Sequence, residues 1–520
     1  MNRAKNLERI REQGKIWDIA VIGGGASGLG VALDALSRGL SVVLLEKADF
    51  AKGTSSRSTK LLHGGVRYLA QGHIGLVFEA LKERGLLLKN APHLTSDQAF
   101  VIPIYSFFDK VKYSLGLKIY DWMAGRLRLG KSKFISREET LDRLPQIKKE
   151  GLIGGVVYHD GQFDDARLAL SVAMTCEDMG GCLLNYMRVT NLVKDENGQI
   201  KGIQVRDEFD KVKYTIAAKM VVNATGVFAD KILQMDQPDA PKSIQPSQGI
   251  HLVLDLGFLG GNDALMIPKT SDGRVLFAVP WLGKLVLGTT DTVREKAKLE
   301  PEALGREVDF ILETAKNYLK KAPSRKDVQA VFAGLRPLAA PKEGSTKTKE
   351  ISRSHKVIVS NSKLVSLTGG KWTTFRKMGE DTVKEFSRVT GQALPRSSSA
   401  QILYHGFTAS PSEGHWKGYG ADALAIHQMI RDNPQLGEKL HPDYPYTQAE
   451  VVWHVREEMA MKVEDVLARR WRILFLDAQA ALAIAPKVAI LMALELGKDE
   501  KWIATELEDV QKLVNKYILK

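Results

Sequence analysis

The stretch Trp17–Lys47, "WDIAVIGGGASGLGVALDALSRGLSVVLLEK", decides the fold of this chain. A short apolar run opens it, the glycines Gly23, Gly25 and Gly28 follow in the spacing G-x-G-x-x-G, and a second apolar run closes on Glu46. Leucines recur at helical spacing between the two runs. Neither run alternates polar and apolar residues, which is typical of strands buried on both faces. The order therefore predicts strand, tight turn, helix and strand, the unit that binds dinucleotides.

The glycines and the terminal acid of this unit each have a physical task. Gly23 permits the tight turn, Gly25 lets the backbone approach a pyrophosphate, and Gly28 lets the helix pack close to the sheet. The helix N-terminus adds free N–H groups and the positive end of a dipole. Glu46 lies where an acid binds the ribose hydroxyls. The unit therefore predicts a dinucleotide site, which either NAD or FAD would suit.

The segment that follows, Lys47–Gly65, favours FAD over NAD. It is a long run of small, polar and glycine residues, "KADFAKGTSSRSTKLLHGG". Its hydroxyl and backbone groups are able to wrap a pyrophosphate and a ribityl chain, which NAD does not require in this form. A solvated loop is the alternative interpretation.

Other regions of the chain have their own patterns. Apolar runs around Glu196–Gly198 predict a hairpin, and "KMVVNATGVFADKIL" (Lys219–Leu233) predicts strand, Ala-Thr-Gly and helix. Residues 245–365 contain many short β segments and predict an antiparallel sheet. Leu364–Phe386 predicts strand, Gly-Gly turn and helix, and residues 410–520 predict mostly helices.

The composition limits the classes of protein to which this chain can belong. The 520 residues exceed a single compact core, so two or three domains are expected, and the net charge of +13 indicates an anionic partner. Cys176 and Cys182 cannot build a disulfide framework, so we expect reduced thiols in a cytosolic protein. The charged N-terminus predicts no secretory signal, and Leu474–Gly497 predicts a buried helix, not a transmembrane span. No metal-ligand spacing and no nucleic-acid motif is present.

The chain resembles the FAD-dependent glycerol-3-phosphate dehydrogenases of the aerobic, quinone-linked type. The resemblance begins with "VIGGGASGLGVALDALSRGLSVVLLEKADFAKGTSSRSTKLLHGGVRYL". It continues in order with "YHDGQFDDARLAL", "NATGVFAD", "PSQGIHLVL", "VPWLGKLVLGTTDT", "FAGLRPL", "ISRSH", "LTGGKWTTFRKMGE" and "EDVLARRWRILFLD", and so covers about residues 18–485.

This resemblance implies an α/β fold. An FAD-binding Rossmann-like domain, similar to those of D-amino acid oxidase and glutathione reductase, is expected to carry an inserted antiparallel β-sheet domain for the substrate and a C-terminal helical domain. The expected boundaries are residues 1–90, 150–235 and 355–395 for the FAD domain, 91–149 and 236–354 for the substrate domain, and 396–520 for the helical domain.

The resemblance also implies a reaction and its partners. The reaction is oxidation of sn-glycerol 3-phosphate to dihydroxyacetone phosphate by hydride transfer to N5 of noncovalent FAD, with electrons passed to membrane quinone. A homodimer, peripheral on the cytoplasmic face of the inner membrane, is expected, with no nucleic-acid partner. The chain has no room for the long insertion of the related glycerophosphate oxidases, which favours quinone over oxygen as acceptor. The alternatives are an FAD oxidoreductase acting on a 2-hydroxy acid or an amino acid, and a membrane-docked flavoprotein without catalysis.

Oxidation of a phosphorylated alcohol needs cations for the phosphate and a base for the hydroxyl proton. The planar fork of arginine binds two phosphate oxygens, lysine adds a point charge, and histidine suits proton abstraction near neutral pH. On the matching motifs, the resemblance implies catalytic roles for His251, Arg336 and Lys371, and substrate binding by Arg67, Tyr68, Arg336 and Arg353. The cofactor-binding residues that it implies are Gly23, Gly25, Ala26, Ser27, Gly28, Glu46, Lys47, Thr54, Ser55, Ser58, Thr59, Lys60, Leu62, His63, Gly64, Gly65, Val189, Ala224, Thr225, Gly226, Gly370, Lys371, Trp372 and Thr373.

Some of these assignments stay open at this point. His251 could be a structural histidine, with a water molecule as base and Arg336 polarising the hydroxyl. His63 could anchor a flavin covalently, although we expect noncovalent FAD. Lys371 is expected to stand at a helix N-terminus aimed at the flavin, and the alternative is a purely structural turn. Trp372 stands where the family pattern has a smaller aliphatic residue, which predicts altered packing near the flavin.

The stretch Ser58–Leu69, "STKLLHGGVRYL", is predicted to join the cofactor and substrate sites. Its first three residues finish the flavin-wrapping loop. Gly64 and Gly65 let the backbone pass close to the ring system, and Arg67 and Tyr68 begin the substrate site.

The segment Lys110–Lys133 is a candidate membrane anchor. It has seven basic residues against one acid, with aromatic and aliphatic side chains between them. A basic amphipathic segment with aromatic residues is typical of an interfacial anchor. An ordinary packed helix with a basic outer face is the alternative.

Overall fold

The computed structural model of the chain describes residues 1–69, 72–340 and 355–519, without the side chains of Arg67 and Tyr68. Its strands, in chain order, are β1 (Ile16–Ile22), β2 (Val42–Leu45), β3 (Leu61–Leu62), β4 (Thr95–Ile104), β5 (Lys133–Ile135), β6 (Gly154–Phe163), β7 (Cys182–Leu184), β8 (Met187–Lys194), β9 (Ile200–Asp207), β10 (Lys213–Asn223), β11 (Ile244–Asp255), β12 (Ala264–Ile267), β13 (Leu276–Trp281), β14 (Lys284–Gly288), β15 (Thr292–Val293), β16 (Ala330–Ala339), β17 (Lys356–Val359), β18 (Leu364–Thr368), β19 (Lys439–His441) and β20 (Tyr444–Thr447).

The α-helices of the described residues vary from single turns to helices of 19 residues. In chain order they are α1 (Arg3–Arg11), α2 (Ala26–Ser37), α3 (Val66–Leu69), α4 (Ile74–Asn90), α5 (Phe107–Ala124), α6 (Arg137–Arg143), α7 (Asp165–Asp178), α8 (Ala229–Asp236), α9 (Gly305–Tyr318), α10 (Phe375–Val383), α11 (Glu385–Thr390), α12 (Ala423–Asp432), α13 (Gln448–Arg456), α14 (Val463–Asp465), α15 (Ile473–Leu476), α16 (Ala478–Leu496) and α17 (Glu500–Val514).

The first sheet contains the glycine-rich unit and confirms the predicted fold class. Its order is β17-β18-β10-β1-β2-β7, and β1 lies between β2 and β10, parallel to both. The predicted hairpin is β8–β9, which joins the sheet where β9 pairs with β10. Helices α2, α7 and α10 cover one face, where side chains such as Leu29, Leu168 and Phe375 form a buried core.

The second sheet is largely antiparallel, as predicted for the substrate part of the chain. Its order is β15-β11-β14-β13-β12-β4-β6-β3, with β16 on β11 and β5 on β6. Strand β16 pairs with β11 over ten residue pairs, from Ile244 with Ala339 to Val253 with Ala330. This long ladder places His251 in the middle of β11.

Two strands correct the expected domain boundaries. Residues 150–235 were expected with the first sheet, but β6 pairs along its whole length with β4 in the second sheet, and β3 pairs with β6. Strand β17 pairs with β18 at the edge of the first sheet and lies within the range 355–395 expected for the FAD domain, although residues 245–365 were predicted to form the antiparallel sheet. Strand pairing is non-local, so the residues of one strand do not reveal which sheet it joins. The three-domain division as a whole stays a prediction.

The C-terminal part is mostly helical, with one hairpin, β19–β20, that the sequence did not predict. Helix α16 packs with α13 and α17, and their shared core includes Val253, Val286 and Phe332 of the second sheet. By length and composition alone α16 is apolar enough to cross a membrane. One face of it, including Ile484 and Val488, is nevertheless buried in this core, which agrees with the predicted core helix.

Candidate active site

A single cavity lies at the carboxyl ends of the four central strands of the first sheet. The residues that follow β1, β2, β10 and β18 form one side of the cavity, and β11 and β16 of the second sheet form the other. Ligands of open parallel sheets bind at this edge because the loops and helix N-termini meet there. The two sheets therefore enclose one continuous site.

The glycine-rich turn has the geometry expected for close approach of a ligand. Gly23 has φ of +110°, and a Cβ atom on it would lie 2.8 Å from the carbonyl oxygen of Ala224. A Cβ atom on Gly28 would lie 1.9 Å from the carbonyl oxygen of Gly23. Helix α2 then begins with Gly25 as N-cap and without a side-chain cap. Gly25 and Ser27 line the cavity at this helix N-terminus, which is where a phosphate group would bind.

Glu46 is held at the mouth of this turn by the backbone itself. Its carboxylate accepts hydrogen bonds from the N–H of Gly24 at 2.8 Å and of Ala48 at 2.9 Å. Burial raises the pKa of Glu46, and the two backbone donors oppose that rise. The side chain is therefore fixed in the position that ribose recognition needs.

The loop after β2 closes over the cavity through contacts with three other segments. Ser55 accepts a hydrogen bond at its Oγ from the N–H of Ala26 at 2.9 Å, and Thr54 donates to the carbonyl of Leu335 at 2.6 Å. The indole N–H of Trp372 donates to the carbonyl of Ser55 at 2.8 Å. The loop is thus not a solvated one, because it is tied to α2, to β16 and to the segment after β18.

Trp372 packs into the aromatic core beside the cavity. Its ring packs edgewise against Phe163 and Phe375, with centroids 5.4 and 5.0 Å apart. Lys371 before it lines the cavity, and the predicted helix follows as one 3-10 turn, Trp372–Thr374, that continues directly into α10. A helix N-terminus therefore lies beside Lys371, as the sequence predicted.

His251 and Thr59 form a hydrogen-bonded pair in the cavity wall. The Oγ1 atom of Thr59 lies 2.9 Å from Nε2 of His251, and the imidazole stacks on Phe332 with centroids 4.8 Å apart. The Nδ1 atom is buried and has no hydrogen-bond partner among the described residues. Burial, with Lys60 and Arg336 nearby, lowers the pKa of His251 well below its ordinary value. The ring is therefore neutral at physiological pH and able to take a proton.

Arg336 is fixed on β16 by the segment after β14. Its guanidinium donates to the carbonyl of Thr290 at 3.0 Å and to the hydroxyl of Thr289 at 3.1 Å, and Asp291 lies 3.6 Å away. Arg336 also lines the cavity on the same wall as His251. A guanidinium held in this way is oriented before any anion arrives, so less conformational entropy is lost on binding.

The structure brings most of the predicted site residues together. Those that line the cavity are Gly23, Gly25, Ala26, Ser27, Glu46, Lys47, Thr54, Ser55, Ser58, Thr59, His63, Val189, Ala224, Thr225, Gly226, Gly370, Lys371, Trp372, Thr373, His251 and Arg336. Arg353 lies outside the described residues, and for Arg67 and Tyr68 only the backbone, in α3, is described.

Five predicted cofactor residues do not line the cavity. The ammonium group of Lys60 is turned away and pairs with Asp165, and Leu62 is buried in the first core. Gly28 packs against the glycine-rich turn. Gly64 and Gly65 do not reach the cavity, and the N–H of Gly64 donates to the hydroxyl of Tyr120. The four of these residues between Lys60 and Gly65 are placed by the pairing of β3 with β6, which the sequence does not reveal. Gly28 has the close-packing role that the sequence predicted for it.

Other residues that hold or line the site have no recognisable pattern in the sequence. Thr289 and Asp291, which hold Arg336, occur in the quoted stretch "VPWLGKLVLGTTDT", but no role was inferred for them. Arg57 lines the cavity and pairs with Glu300 at 2.6 Å. A threonine or an acid in a loop gives no signal of its own, since its role depends on which arginine lies opposite.

The described residues fit FAD. Gly25 lines the cavity without a side chain, the loop after β2 supplies hydroxyl groups, and a second wall with Arg336 and His251 faces them. We predict that Gly25→Val weakens FAD binding about 10- to 100-fold, since filling packed space costs about 1–3 kcal/mol. Flavin absorbance after gel filtration measures this.

The matched control for this prediction is Gly116→Ala. Gly116 lies in α5, where an added Cβ atom meets nothing within 4 Å, so flavin content should not change. Stoichiometric flavin in the Gly25→Val protein would contradict the assignment of the turn.

Comparisons with known families agree with this site. A family model described as "FAD dependent oxidoreductase" matches residues 18–374, and one described as "C-terminal domain of alpha-glycerophosphate oxidase" matches residues 360–503. A probable mitochondrial glycerol-3-phosphate dehydrogenase of Caenorhabditis elegans is 38% identical, over 98% of this chain and 75% of its own length. The mitochondrial glycerol-3-phosphate dehydrogenase of Homo sapiens is 37% identical, over 96% and 73%.

Solved structures agree as well. The glycerol-3-phosphate dehydrogenase of Bacillus halodurans complexed with FAD has a TM-score of 0.78 at 29% identity and covers 100% of this chain and 99% of its own. The L-α-glycerophosphate oxidase of Mycoplasma pneumoniae with FAD bound has a TM-score of 0.57 at 18% identity, covers 74% and 97%, and shows the fold alone.

Proposed function

This chain belongs to the family of FAD-dependent glycerol-3-phosphate dehydrogenases, and from that premise we propose that it oxidises sn-glycerol 3-phosphate to dihydroxyacetone phosphate. The observation that carries the proposal is the cavity in which a dinucleotide turn faces Arg336, Lys371 and the Thr59–His251 pair. A phosphorylated secondary alcohol needs cations and a proton acceptor together, and this wall supplies both.

Arg336 and Lys371 bind the phosphate in this proposal. The dianion accepts two parallel hydrogen bonds from a guanidinium, and Thr289 and Thr290 hold that of Arg336 in place. Lys371 adds a positive charge from the opposite sheet. A carboxylate substrate carries less charge, so this pair of cations favours a phosphorylated one over a 2-hydroxy acid or an amino acid.

The Thr59–His251 pair takes the hydroxyl proton. Neutral His251 accepts a proton at Nε2, the atom that Thr59 contacts at 2.9 Å. The substrate hydroxyl gives its proton to Oγ1 of Thr59 while Thr59 passes its own proton to Nε2. When bound, FAD would accept the hydride from the substrate carbon that carries this hydroxyl. The low dielectric of the buried wall strengthens each of these contacts.

A comparison of substrates tests the proposal. The rate of flavin-dependent dye reduction is measured with sn-glycerol 3-phosphate, glycerol and lactate. We expect kcat/KM for sn-glycerol 3-phosphate to exceed the values for glycerol and lactate at least about 1,000-fold. Each charged hydrogen bond to the phosphate contributes about 1.5–3 kcal/mol. Equal or faster turnover of lactate or an amino acid would instead support the alternative substrate class.

We further propose that the enzyme docks on a bilayer and passes its electrons to quinone. Helix α5 supports this, because Phe108 and Trp122 are 75% and 77% exposed, and Phe107, Val111 and Leu115 are also exposed. Exposed lysines and arginines accompany them, as a surface for anionic lipid requires. Exposed apolar residues of this number are uncommon on a protein that stays in water.

The structure refines the predicted anchor. Leu117, Tyr120 and Met123 of the segment Lys110–Lys133 face inward and are buried, so they are not available to lipid. Phe107 and Phe108, which precede that segment, belong to the exposed side instead. Localisation at the cytoplasmic face of the inner membrane stays a prediction.

A double variant, Phe108→Ser with Trp122→Ser, is expected to lose vesicle binding. Each exposed aromatic contributes about 1.5–3 kcal/mol when its surface is buried, so affinity should fall at least about 100-fold. Sedimentation with phosphatidylcholine vesicles, with and without phosphatidylglycerol, measures this.

The control pair is Leu424→Ser with Leu494→Ser, which lie on α12 and α16 and are 73% and 75% exposed. This control should bind vesicles as the unchanged enzyme does. If both double variants bind equally well, α5 is not the docking surface.

A further inference from the structure

Asp165 is a fully buried carboxylate that contacts both chain neighbours of Thr59. It accepts hydrogen bonds from the N–H of Ser58 at 3.0 Å and from its hydroxyl at 2.7 Å. It also accepts from Nζ of Lys60 at 2.8 Å and from Nη2 of Arg472 at 3.0 Å. One carboxylate therefore holds the residues on both sides of Thr59.

The backbone around Thr59 is also fixed by β6, the strand that ends just before Asp165. Lys60 has φ of +64°, a left-handed conformation that a lysine adopts only when its surroundings impose it. Its carbonyl accepts from the N–H of Phe163, two residues before Asp165, at 3.0 Å. With Ser58 and Lys60 bound on one side, Thr59 is directed to the other, where its hydroxyl meets His251.

Lys60 also lies behind the His251 ring. Its Nζ atom is 5.2 Å from the centroid of Phe332, and the His251 ring stacks on Phe332. The charged groups that act on His251 are thus Lys60 from the start of β3 and Arg336 from β16. Asp165 faces Lys60, and Asp291 faces Arg336, so each cation has its own acid.

We propose that Asp165 is a positioning residue for catalysis: it fixes Ser58 and Lys60, and thereby sets both the Thr59–His251 hydrogen bond and the positive charge behind the imidazole. The proposal rests on the proposed function only in taking His251 as the proton acceptor. The stretch "YHDGQFDDARLAL" thereby acquires a role, since Asp165 belongs to it.

The charge on Lys60 lowers the pKa of His251, because Lys60 takes up its proton at a higher pH than His251 does. Burial, with Arg472 nearby, lowers the pKa of Lys60 to about 7. His251 has its pKa well below 6.5, so Lys60 is already protonated over the pH range in which His251 takes up a proton. Removing the Lys60 charge must therefore raise the pKa of His251.

The Lys60→Met variant tests the charge. Asp165 keeps its hydrogen bonds from Ser58 and Arg472, so its carboxylate stays paired. We expect the pKa of His251 to rise by about one unit, the size of one charge acting across a buried ring. NMR titration of 13C-labelled histidines, assigned with His251→Gln, measures it, and the acidic limb of kcat/KM should move by the same amount. The control is Lys219→Met, which removes the same charge from a remote pair with Asp18.

The Ser58→Ala variant tests the positioning and leaves every charge in place. We expect kcat to fall about 10-fold with KM and the pKa of His251 unchanged, since a small misplacement of catalytic groups lowers the rate. Thr59→Ser should retain activity, whereas Thr59→Val should lose it to a similar extent as Ser58→Ala or more. Flavin absorbance confirms that each variant holds its cofactor.

The outcomes separate this proposal from the proposed function. An unmoved His251 pKa in folded Lys60→Met, or unchanged kcat in Ser58→Ala, overturns the role of Asp165. The pKa of His251 could move while the acidic limb of kcat/KM stays in place. That result supports the role of Asp165 and excludes His251 as the base. If Lys60→Met does not fold, the Ser58→Ala result decides alone.

Discussion

Replacing Arg336 by alanine should lower kcat/KM for sn-glycerol 3-phosphate about 100- to 1,000-fold and leave FAD bound. The loss corresponds to about 3–4 kcal/mol, the usual cost of removing one partner of a charged hydrogen-bonded pair. Arg336 lies on β16, across the cavity from the glycine-rich turn, so flavin content should not change. Initial rates against substrate concentration, with an artificial electron acceptor, give the change.

The controls separate phosphate binding from a general defect. Arg336→Lys keeps the charge but loses the fork held by Thr289 and Thr290, so an intermediate loss is expected. Arg325→Ala removes an exposed arginine that pairs with Asp309 and should behave as the unchanged enzyme. If Arg336→Ala loses as much activity toward glycerol as toward glycerol 3-phosphate, the residue does not bind the phosphate.

The second large effect is expected at His251. Replacement by glutamine keeps an amide near Thr59 but removes the proton acceptor, so kcat should fall about 100- to 10,000-fold, the usual contribution of a general base. Burial, Lys60 and Arg336 lower the pKa of His251, so the unchanged enzyme stays active well below pH 6.5 and loses activity only as the ring is protonated. The variant should lack this acidic limb.

A pH series of kcat/KM between weakly acidic and alkaline buffers shows the limb. His355→Gln is the matched control, because His355 also lies near the Gly-Gly segment but pairs with Asp381 at 3.1 Å. A His251→Gln enzyme that keeps both its kcat and its acidic limb would show that another group takes the proton.

The glycine-rich turn can be predicted from the sequence because it is local. Gly23, Gly25 and Gly28 must adopt one turn between two strands, and the spacing alone identifies that turn. Glu46 ends the next strand and therefore returns to the same edge. These relations depend on about thirty neighbouring residues and not on the rest of the chain.

The substrate half depends on contacts between distant segments. Lys60 and Thr59 are neighbours, yet one faces Asp165 and the other His251, and only the pairing of β3 with β6 decides this. Thr289 has no distinctive pattern until β11, β14 and β16 bring it to Arg336. In α5, likewise, the packing separates buried Tyr120 from exposed Trp122, whereas the sequence grouped the two.

The most direct test of the proposed reaction is an anaerobic titration of the purified flavoprotein. One equivalent of sn-glycerol 3-phosphate should abolish the flavin absorbance bands, and dihydroxyacetone phosphate should appear in equal amount. A soluble quinone should then restore the bands within seconds, while dissolved oxygen restores them far more slowly. A flavin that stays oxidised with glycerol 3-phosphate, or one that is reduced as readily by lactate, would contradict the account.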